Sequence, residues 1–312
     1  MITLEQIKCV ATAALLAWLG FLTLHAQTPA VSLIRSLREL RMCLVDLRSD
    51  GYRISFPKEE HNRVSSNDRY DYIYSVVAPN GRSVFAVRRI YDSGLPSLIE
   101  DILVRRPLIT GTVGPEEIVN TPFVNIFQFS VSSNEEYLVI AGRLRHATEG
   151  NRDAIFLFKR NDGTSKYVAP YASLSENIRS LNVAERGDLV IFENRGIVTK
   201  FEASGGPLVL AEQHPGQFPT LIPHEHRYLY VDRGWLMADD GKGGKRELIR
   251  APSVVGAIRV SPDGRFIAFG EDLFGDSRLT RLRICEIDSK NCADGPDYLE
   301  WIAGRETFWI ER

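Results

Sequence analysis

The sequence predicts an all-β protein, a six-bladed β-propeller whose blades each contain four strands. Three observations predict this fold. One hairpin pattern recurs six times, most copies continue into a second hairpin, and the sixth copy lacks a second half that two strands near the N-terminus would supply. Successive copies lie roughly 40 to 55 residues apart, which is the length of a four-stranded propeller blade.

The clearest copy of the hairpin occupies residues 257–269. Two apolar runs, 257–260 and 266–269, are separated by a turn that contains Asp263 and Gly264. Asp-Gly between apolar runs indicates a hairpin, because glycine accepts a positive φ at little steric cost. Aligned without gaps, the six copies share an aliphatic residue where the first strand ends: Val77, Val131, Val183, Ile222, Val260 and Ile302. They also share an apolar residue in the returning strand: Val84, Leu138, Val190, Leu229, Ile267 and Trp309.

Second hairpins follow from further apolar runs that are separated by turn residues. The runs are 155–158 with 166–169, 197–201 with 207–211, 235–238 with 246–249, and 282–287 before a turn near 288–289. The sixth copy reaches the C-terminus after two strands, and the runs 42–47 and 52–56 are predicted to complete it. Closure of this kind removes exposed sheet edges. An open β-sandwich or an unclosed array is the alternative.

Residues 261–269, Ser-Pro-Asp-Gly-Arg-Phe-Ile-Ala-Phe, resemble the Pro-Asp-Gly repeat of TolB-like β-propellers. Residues 78–82, Ala-Pro-Asn-Gly-Arg, are a weaker second copy. The resemblance covers residues 42–312 as architecture and is close only at these two stretches. It implies a mostly six-bladed, exported, non-enzymatic protein with protein partners at the periplasmic face of the cell envelope.

Composition and the N-terminus predict an exported globular protein. The 312 residues are 44% hydrophobic and 25% charged, and the net charge of −2 gives no reason to expect a nucleic-acid partner. The apolar run of 16 residues at 9–24 is shorter than the roughly 20 that span a membrane. We therefore predict a signal peptide at 1–26, a linker at 27–41, the propeller at 42–312, and a periplasmic or secreted location. The alternative is that the N-terminal segment is not cleaved and anchors the protein, which would be its only contact with a membrane.

Two cysteines are candidates for a disulfide bond. Cys285 and Cys292 flank the last predicted hairpin turn, where opposed strand positions come within disulfide range. An oxidising compartment would allow the bond to form, whereas two reduced thiols are the alternative. The sequence contains no Cys-x-x-Cys pair, so the cysteines predict no zinc site.

The loops between the second and third strands of a blade, the B–C loops, are predicted to form the binding surface. They are long in the first, second and fifth blades, and loops on a rigid scaffold often carry function. Insertions without a role are the alternative, because loops lengthen at small entropic cost. The predicted contacts with a protein or cell-envelope component are Arg88, Tyr91, Asp92, Arg145, His146, Glu271, Asp272 and Phe274.

No catalytic residue, metal site or cofactor is predicted. The acidic loop 271–276 offers too few oxygen ligands for calcium alone, and residues 224–226, His-Glu-His, fall in an exposed turn. The glycine-rich segment 241–245 has no helix after it, so it lacks the mechanism of a phosphate-binding loop. The inner strands contribute a column without an acid: Val76, Ser130, Asn182, Leu221, Arg259 and Trp301. The sequence therefore favours a non-enzymatic binding protein, with a metal-dependent hydrolase or lactonase in the central channel as the alternative.

Overall fold

The structure is a computed structural model, and it describes most of the propeller region. The described residues are 30–34, 42–48, 51–55, 70–91, 99–109, 112–145, 153–170, 178–272, 279–299 and 307–310. Every regular element in these ranges is a β-strand. In this part of the chain no helix is long and apolar enough to cross a membrane.

The first three strands, β1 (Ala30–Ile34), β2 (Met42–Arg48) and β3 (Gly51–Ser55), precede five sheets of consecutive strands. Blade I contains β4 (Tyr70–Val77), β5 (Ser83–Tyr91), β6 (Ile99–Ile109), β7 (Thr112–Val113) and β8 (Glu117–Val119). Blade II contains β9 (Phe123–Val131), β10 (Tyr137–Leu144), β11 (Asp153–Lys159) and β12 (Thr164–Pro170). Blade III contains β13 (Ile178–Val183), β14 (Leu189–Asn194), β15 (Ile197–Glu202) and β16 (Val209–Pro215).

Blade IV contains β17 (Gln217–Leu221), β18 (Tyr228–Asp232), β19 (Trp235–Asp239) and β20 (Lys245–Arg250). Blade V contains β21 (Val254–Val260), β22 (Phe266–Asp272), β23 (Leu279–Glu286) and β24 (Cys292–Leu299), and β25 (Thr307–Ile310) follows it. We name the strands of each blade A to D in chain order. In blade I the D strand is divided into β7 and β8, which both pair with β6.

The prediction of an all-β propeller with four-stranded blades is confirmed. Each blade is an antiparallel meander, and the A strands of successive blades contact one another around a central channel. Five blades are built from consecutive strands, one fewer than the sequence predicted. The remaining strands form a further four-stranded sheet in the order β25-β1-β2-β3, in which β1 pairs with both β2 and β25. Strand β1 lies within the segment 27–41 that the sequence analysis assigned to a linker.

The register of blade IV corrects the alignment of the repeats by one residue. After each A strand, a backbone N–H donates to the carbonyl five residues on, and in blade V this donor is Ser261 at 2.8 Å. In blade IV the donor is Ile222 at 3.0 Å, so Leu221 and its partner Tyr228 occupy the places that we predicted for Ile222 and Leu229. Thr220 therefore replaces Leu221 in the inner column. Both 221 and 222 are aliphatic, so the apolar pattern fitted either register, although a shift of one residue exchanges the two faces of a strand.

A β-bulge interrupts the pairing of every A strand with its B strand. The register shifts lie at Tyr72/Tyr74, at Ala141/Gly142 of the strand opposite β9, at Arg179/Asn182, at Gln217/Thr220 and at Val255/Arg259. A bulge bends a strand and increases its twist. The five A strands therefore share one irregularity along the channel, which the alternating apolar pattern did not reveal.

Apolar side chains fill the spaces between adjacent blades. Phe123 and Phe129 pack between blades I and II, Leu157 and Phe192 between blades II and III, and Ile267 belongs to the layer between blades IV and V. The space between blades III and IV also contains Tyr228 and Tyr230. A buried tyrosine hydroxyl needs a hydrogen-bond partner, so polar groups are expected at this interface.

The predicted disulfide bond between Cys285 and Cys292 is confirmed. The two residues are direct partners in the pairing of β23 with β24, and their sulfur atoms are bonded. The bond closes the C–D turn of blade V.

Candidate functional site

A cavity of about 190 Å³ lies at one end of the central channel. The A strands of all five blades and several A–B turns line it. It therefore opens on the face opposite the B–C loops, where the sequence analysis placed the binding surface. The polar and charged lining residues are Ser130, Ser133, Asn182, Glu185, Arg186, Thr220, His224, Glu225, His226 and Arg259.

The predicted inner column lines this cavity. The wall includes Val76, Ser130, Asn182, Leu221 and Arg259, and also Thr220, which takes the column position in the corrected register of blade IV. Arg259 lies on the wall of this cavity and is half-buried. Burial lowers the pKa of Arg259, and the hydroxyl of Tyr74 partly offsets this effect. The cavity thus has a half-buried cation on its wall.

Hydrogen bonds between A–B turns fix the rim of the cavity. The carboxylate of Glu185 in blade III accepts a bond from Ser133 Oγ of blade II at 2.5 Å, and its Oε1 lies 2.8 Å from His224 Nδ1 of blade IV. Asn134 Nδ2 donates to the Glu185 carbonyl at 2.9 Å. His224 and His226 are exposed in an A–B turn, which confirms their predicted place. The turns of blades II to IV therefore present a preorganised surface.

The cluster of Ser133, Glu185 and His224 is not arranged for nucleophilic catalysis. In a serine hydrolase the histidine lies between the serine and the acid, and takes the proton from the hydroxyl. Here the carboxylate lies between the other two side chains, and one oxygen, Oε1, contacts both of them. The arrangement holds turns together and does not activate a hydroxyl.

Glu135 forms a second ionic centre, in the A–B turn of blade II. Its carboxylate accepts a hydrogen bond from Arg105 Nε at 2.7 Å and one from Asn80 Nδ2 at 3.2 Å, both in blade I. Burial raises the pKa of Glu135, but hydrogen bonds from Arg105 and Asn80 outweigh burial and hold it below its usual value. These contacts continue the interblade bonding to blade I.

The residues predicted as contacts lie at the opposite, B–C end of the blades, so far as they are described. Arg88 is within β5 and pairs with Glu116 at 2.5 Å, while Arg145 pairs with Glu100 of the neighbouring blade. Glu271 lies 3.2 Å from Arg283, and the Asp272 N–H donates to the Ser253 carbonyl at 2.8 Å. Tyr91 ends β5. Asp92, His146 and Phe274 lie outside the described residues. The charges of Arg88, Arg145 and Glu271 therefore serve ion pairs within the protein, and the predicted contact role stays a prediction.

The segment 241–245 does not offer its backbone N–H groups to a phosphate. The carboxylate of Asp240 accepts hydrogen bonds from the N–H groups of Lys242 at 2.8 Å and Gly244 at 2.9 Å. A side chain of the same turn thus occupies the position that an anion would need.

Within the described ranges, one group of side chains has the composition of a metal site. Glu212, His214 and Asp239 place one ligand atom each within 4.8 Å of one another, between blades III and IV and away from the channel. No motif in the sequence predicted this group. His214 and Asp239 are 25 positions apart, on strands of different blades, and no local spacing motif connects them.

Comparisons with known proteins return structural likeness only. No family model matches the sequence, and no curated protein matches it. A solved structure from Bacteroides fragilis, described as a 6-phosphogluconolactonase, has a TM-score of 0.48 at 10% identity, over 91% of this chain and 99% of that one. A protein described as TolB from Agrobacterium tumefaciens has a TM-score of 0.48 at 12% identity, over 91% and 97%. Hsv2 from Kluyveromyces lactis has a TM-score of 0.48 at 8% identity, over 74% and 63%. At these scores the likenesses carry no inference about function, and the fold assignment rests on the strand topology.

Proposed function

We propose that this protein is an exported, non-enzymatic β-propeller that binds a protein of the cell envelope at the A–B mouth of its channel. The observation that carries the proposal is the cavity itself, which five blades line and whose rim is fixed by hydrogen bonds between turns. Pockets for drug-sized ligands usually measure about 300 to 1,000 Å³. A cavity of about 190 Å³ suits one or two side chains of a partner better than a whole metabolite.

The charge in the cavity indicates what the partner presents. Arg259 places a half-buried guanidinium on the cavity wall, and a bidentate bond to a carboxylate is the strongest interaction that such a group makes. An acidic side chain or a C-terminal carboxylate that reaches Arg259 is therefore the expected anchor.

Two features support export. The disulfide between Cys285 and Cys292 is a bond that persists in oxidising compartments such as the periplasm. The apolar N-terminal run has the length of a signal peptide rather than of a membrane span.

We further propose that the sheet β25-β1-β2-β3 is the sixth blade and closes the ring. The pairing of Leu33 with Thr307 supports this, because it joins the two ends of the chain in one sheet. A disulfide between Leu33→Cys and Thr307→Cys would close a long loop and stabilise the fold by about 5 kcal/mol. Failure of the two thiols to bond under oxidation, while each single variant folds normally, would exclude the closed ring.

The binding proposal is tested by photo-crosslinking in cells. A benzophenone amino acid is introduced at the mouth (position 226), at the B–C end (position 145) and at the outer C–D turn of blade II (position 163). We expect one envelope protein to crosslink from position 226 and not from 163. Crosslinks from position 145 alone would move the contact to the B–C loops, the surface predicted from the sequence.

Affinity for that protein, once it is purified, separates the two ends of the propeller. Arg259→Gln should weaken binding at least tenfold, since it removes the charge that pairs with the anchor. Arg145→Ala is the matched control, because it removes an exposed arginine from the opposite end, and it should change affinity less than twofold. Equal effects of the two variants would refute the mouth as the binding site.

A further inference from the structure

The interface between blades III and IV contains a polar cluster that the proposed function does not use. Glu212 and His214 lie on β16, and Asp239 ends β19 in the next blade. The Asp239 side chain is almost fully buried, and its Oδ1 accepts a hydrogen bond from the Gly241 N–H at 2.8 Å. A buried carboxylate is costly unless its oxygens are paired, so the second oxygen also requires a partner.

The hydrogen-bond geometry fixes the tautomer of His214. Its Nδ1 lies 2.8 Å from the Pro215 carbonyl oxygen, which can only accept, so Nδ1 carries a proton and donates it. A backbone carbonyl in this position is the usual arrangement behind a metal-binding histidine, because it orients the ring and leaves the lone pair on Nε2.

The hydrogen bonds of this cluster lack one proton or cation. The Tyr228 hydroxyl oxygen lies 2.9 Å from His214 Nε2 and 3.1 Å from Asp239 Oδ2, and it has one proton to give. With Nε2 bare and Asp239 ionised, both neighbours are acceptors, and one of the two contacts lacks a hydrogen. Either a second proton on His214 or a cation would complete the set.

We propose that Glu212, His214 and Asp239 bind a divalent transition metal, with Zn²⁺ as the best match, and that the metal joins blade III to blade IV. One imidazole nitrogen and two carboxylates are a donor set that zinc accepts, with metal–ligand distances near 2.0 to 2.2 Å. Tetrahedral ligands at such distances are about 3.4 Å apart. The present separations, within 4.8 Å, need to close by at most about 1.4 Å.

The neighbouring charges permit this rearrangement. Glu212 lies on the outer strand of blade III and is half-buried, so its side chain can turn inward. Lys245 Nζ donates to Glu212 Oε1 at 2.6 Å, and this bond leaves Oε2 to face a metal. Lys200 also lies near Glu212, so two lysines balance the charge of the two carboxylates, which remain the anionic ligands for a dication. The neutral hydroxyl of Tyr228 lies beside the other donors.

Metal binding is tested on the purified full-length chain after dialysis against a chelator. Calorimetry with Zn²⁺ should show one site per chain, and Co²⁺ in its place should give the intense visible absorption of a tetrahedral N/O site. His214→Ala should weaken Zn²⁺ binding by about 100-fold and abolish the Co²⁺ bands. Glu212→Gln keeps the side-chain shape at a half-buried position. If this variant binds Zn²⁺ more weakly but has an unchanged melting temperature in chelator, the loss of affinity is not due to a folding defect.

The control is the double variant His224→Ala/His226→Ala, which removes the exposed histidine pair of the A–B turn. It should leave stoichiometry and affinity unchanged. Loss of Zn²⁺ binding in this control overturns the proposal. So does a wild-type titration that shows no stoichiometric site at 100 µM Zn²⁺ and gives only Kd values above about 1 mM. Detection by NMR of both ring protons on His214 in metal-saturated protein also overturns it, since Nε2 would then hold a proton.

Discussion

Replacement of Glu135 sets backbone strain against an ion pair at one position. Glu135 has a φ of 59°, and the matching turn residues of blades I, III and V are Gly81, Gly187 and Gly264, with φ values of 71°, 66° and 71°. All four donate their N–H to the carbonyl three residues before. A side chain in this left-handed region costs about 1 to 2 kcal/mol, so Glu135→Gly should gain about 1 kcal/mol from the backbone.

The lost carboxylate outweighs this gain. The Glu135 side chain is 6% exposed and its partner Arg105 is 21% exposed. Loss of one member of a buried pair costs about 3 to 5 kcal/mol, and exposed pairs contribute less than about 1. Arg105 keeps a second partner, Glu117 at 3.0 Å, so we expect a loss of about 2 kcal/mol. Glu135→Ala should therefore cost about 2 kcal/mol, and Glu135→Gly only about 1.

Urea unfolding of the wild type and both variants measures these differences directly. A Gly variant more stable than the wild type would refute the reasoning, because the ion pair would then contribute less than the strain. Equal stability of the Ala and Gly variants would show that the turn is not strained.

The wild type and Glu135→Ala also allow a test of how the stability from Glu135 depends on pH. The folded pKa of Glu135 is below its ordinary value of 4.5, so the stability that it contributes is complete above about pH 4.5. It is lost as the pH falls through the lowered folded value. The difference between wild type and Glu135→Ala should shrink on acidification in that range, and a difference that grows would contradict the pKa assignment.

Three further substitutions test packing, the disulfide and a buried charge. Gly187→Ala should lower the free energy of unfolding by about 1 to 3 kcal/mol more than Gly163→Ala. Both glycines have positive φ, but only at Gly187 would a Cβ lie 2.6 Å from the Tyr137 ring. Equal losses would show that the ring moves freely. Cys285→Ser/Cys292→Ser should lower unfolding free energy by about 2 to 3 kcal/mol, as should reduction of the wild type, and no change would mean free thiols. Asp101→Asn should lower the free energy of unfolding by about 3 to 5 kcal/mol, because this 2% exposed carboxylate accepts hydrogen bonds from Arg89 and the Ile126 N–H. Asp153→Asn, which affects a more exposed ion pair, should lower it by less than about 1 kcal/mol.

The sequence predicted several residues of the candidate site but not where on the propeller the site lies. The inner column, including Asn182 and Arg259, was read from the repeat, and its five described members do line the channel cavity. The end of the channel that forms the cavity was not predicted, since loop length favoured the B–C side. The rim depends on contacts such as Ser133 to Glu185, which join different blades and leave no spacing signal.

Local patterns in the sequence predicted most of the strands, the four-stranded blades and the candidate pair Cys285 and Cys292. Alternating apolar residues and Asp-Gly turns act over a few residues, so each hairpin is encoded where it forms. The register of blade IV depends on the packed sheet, because Leu221 and Ile222 satisfy the same apolar pattern. The tertiary structure also brought His214 and Asp239 together, because neighbouring blades pack face to face. Contacts between blades are set by the geometry of the ring, and no local period in the sequence records them.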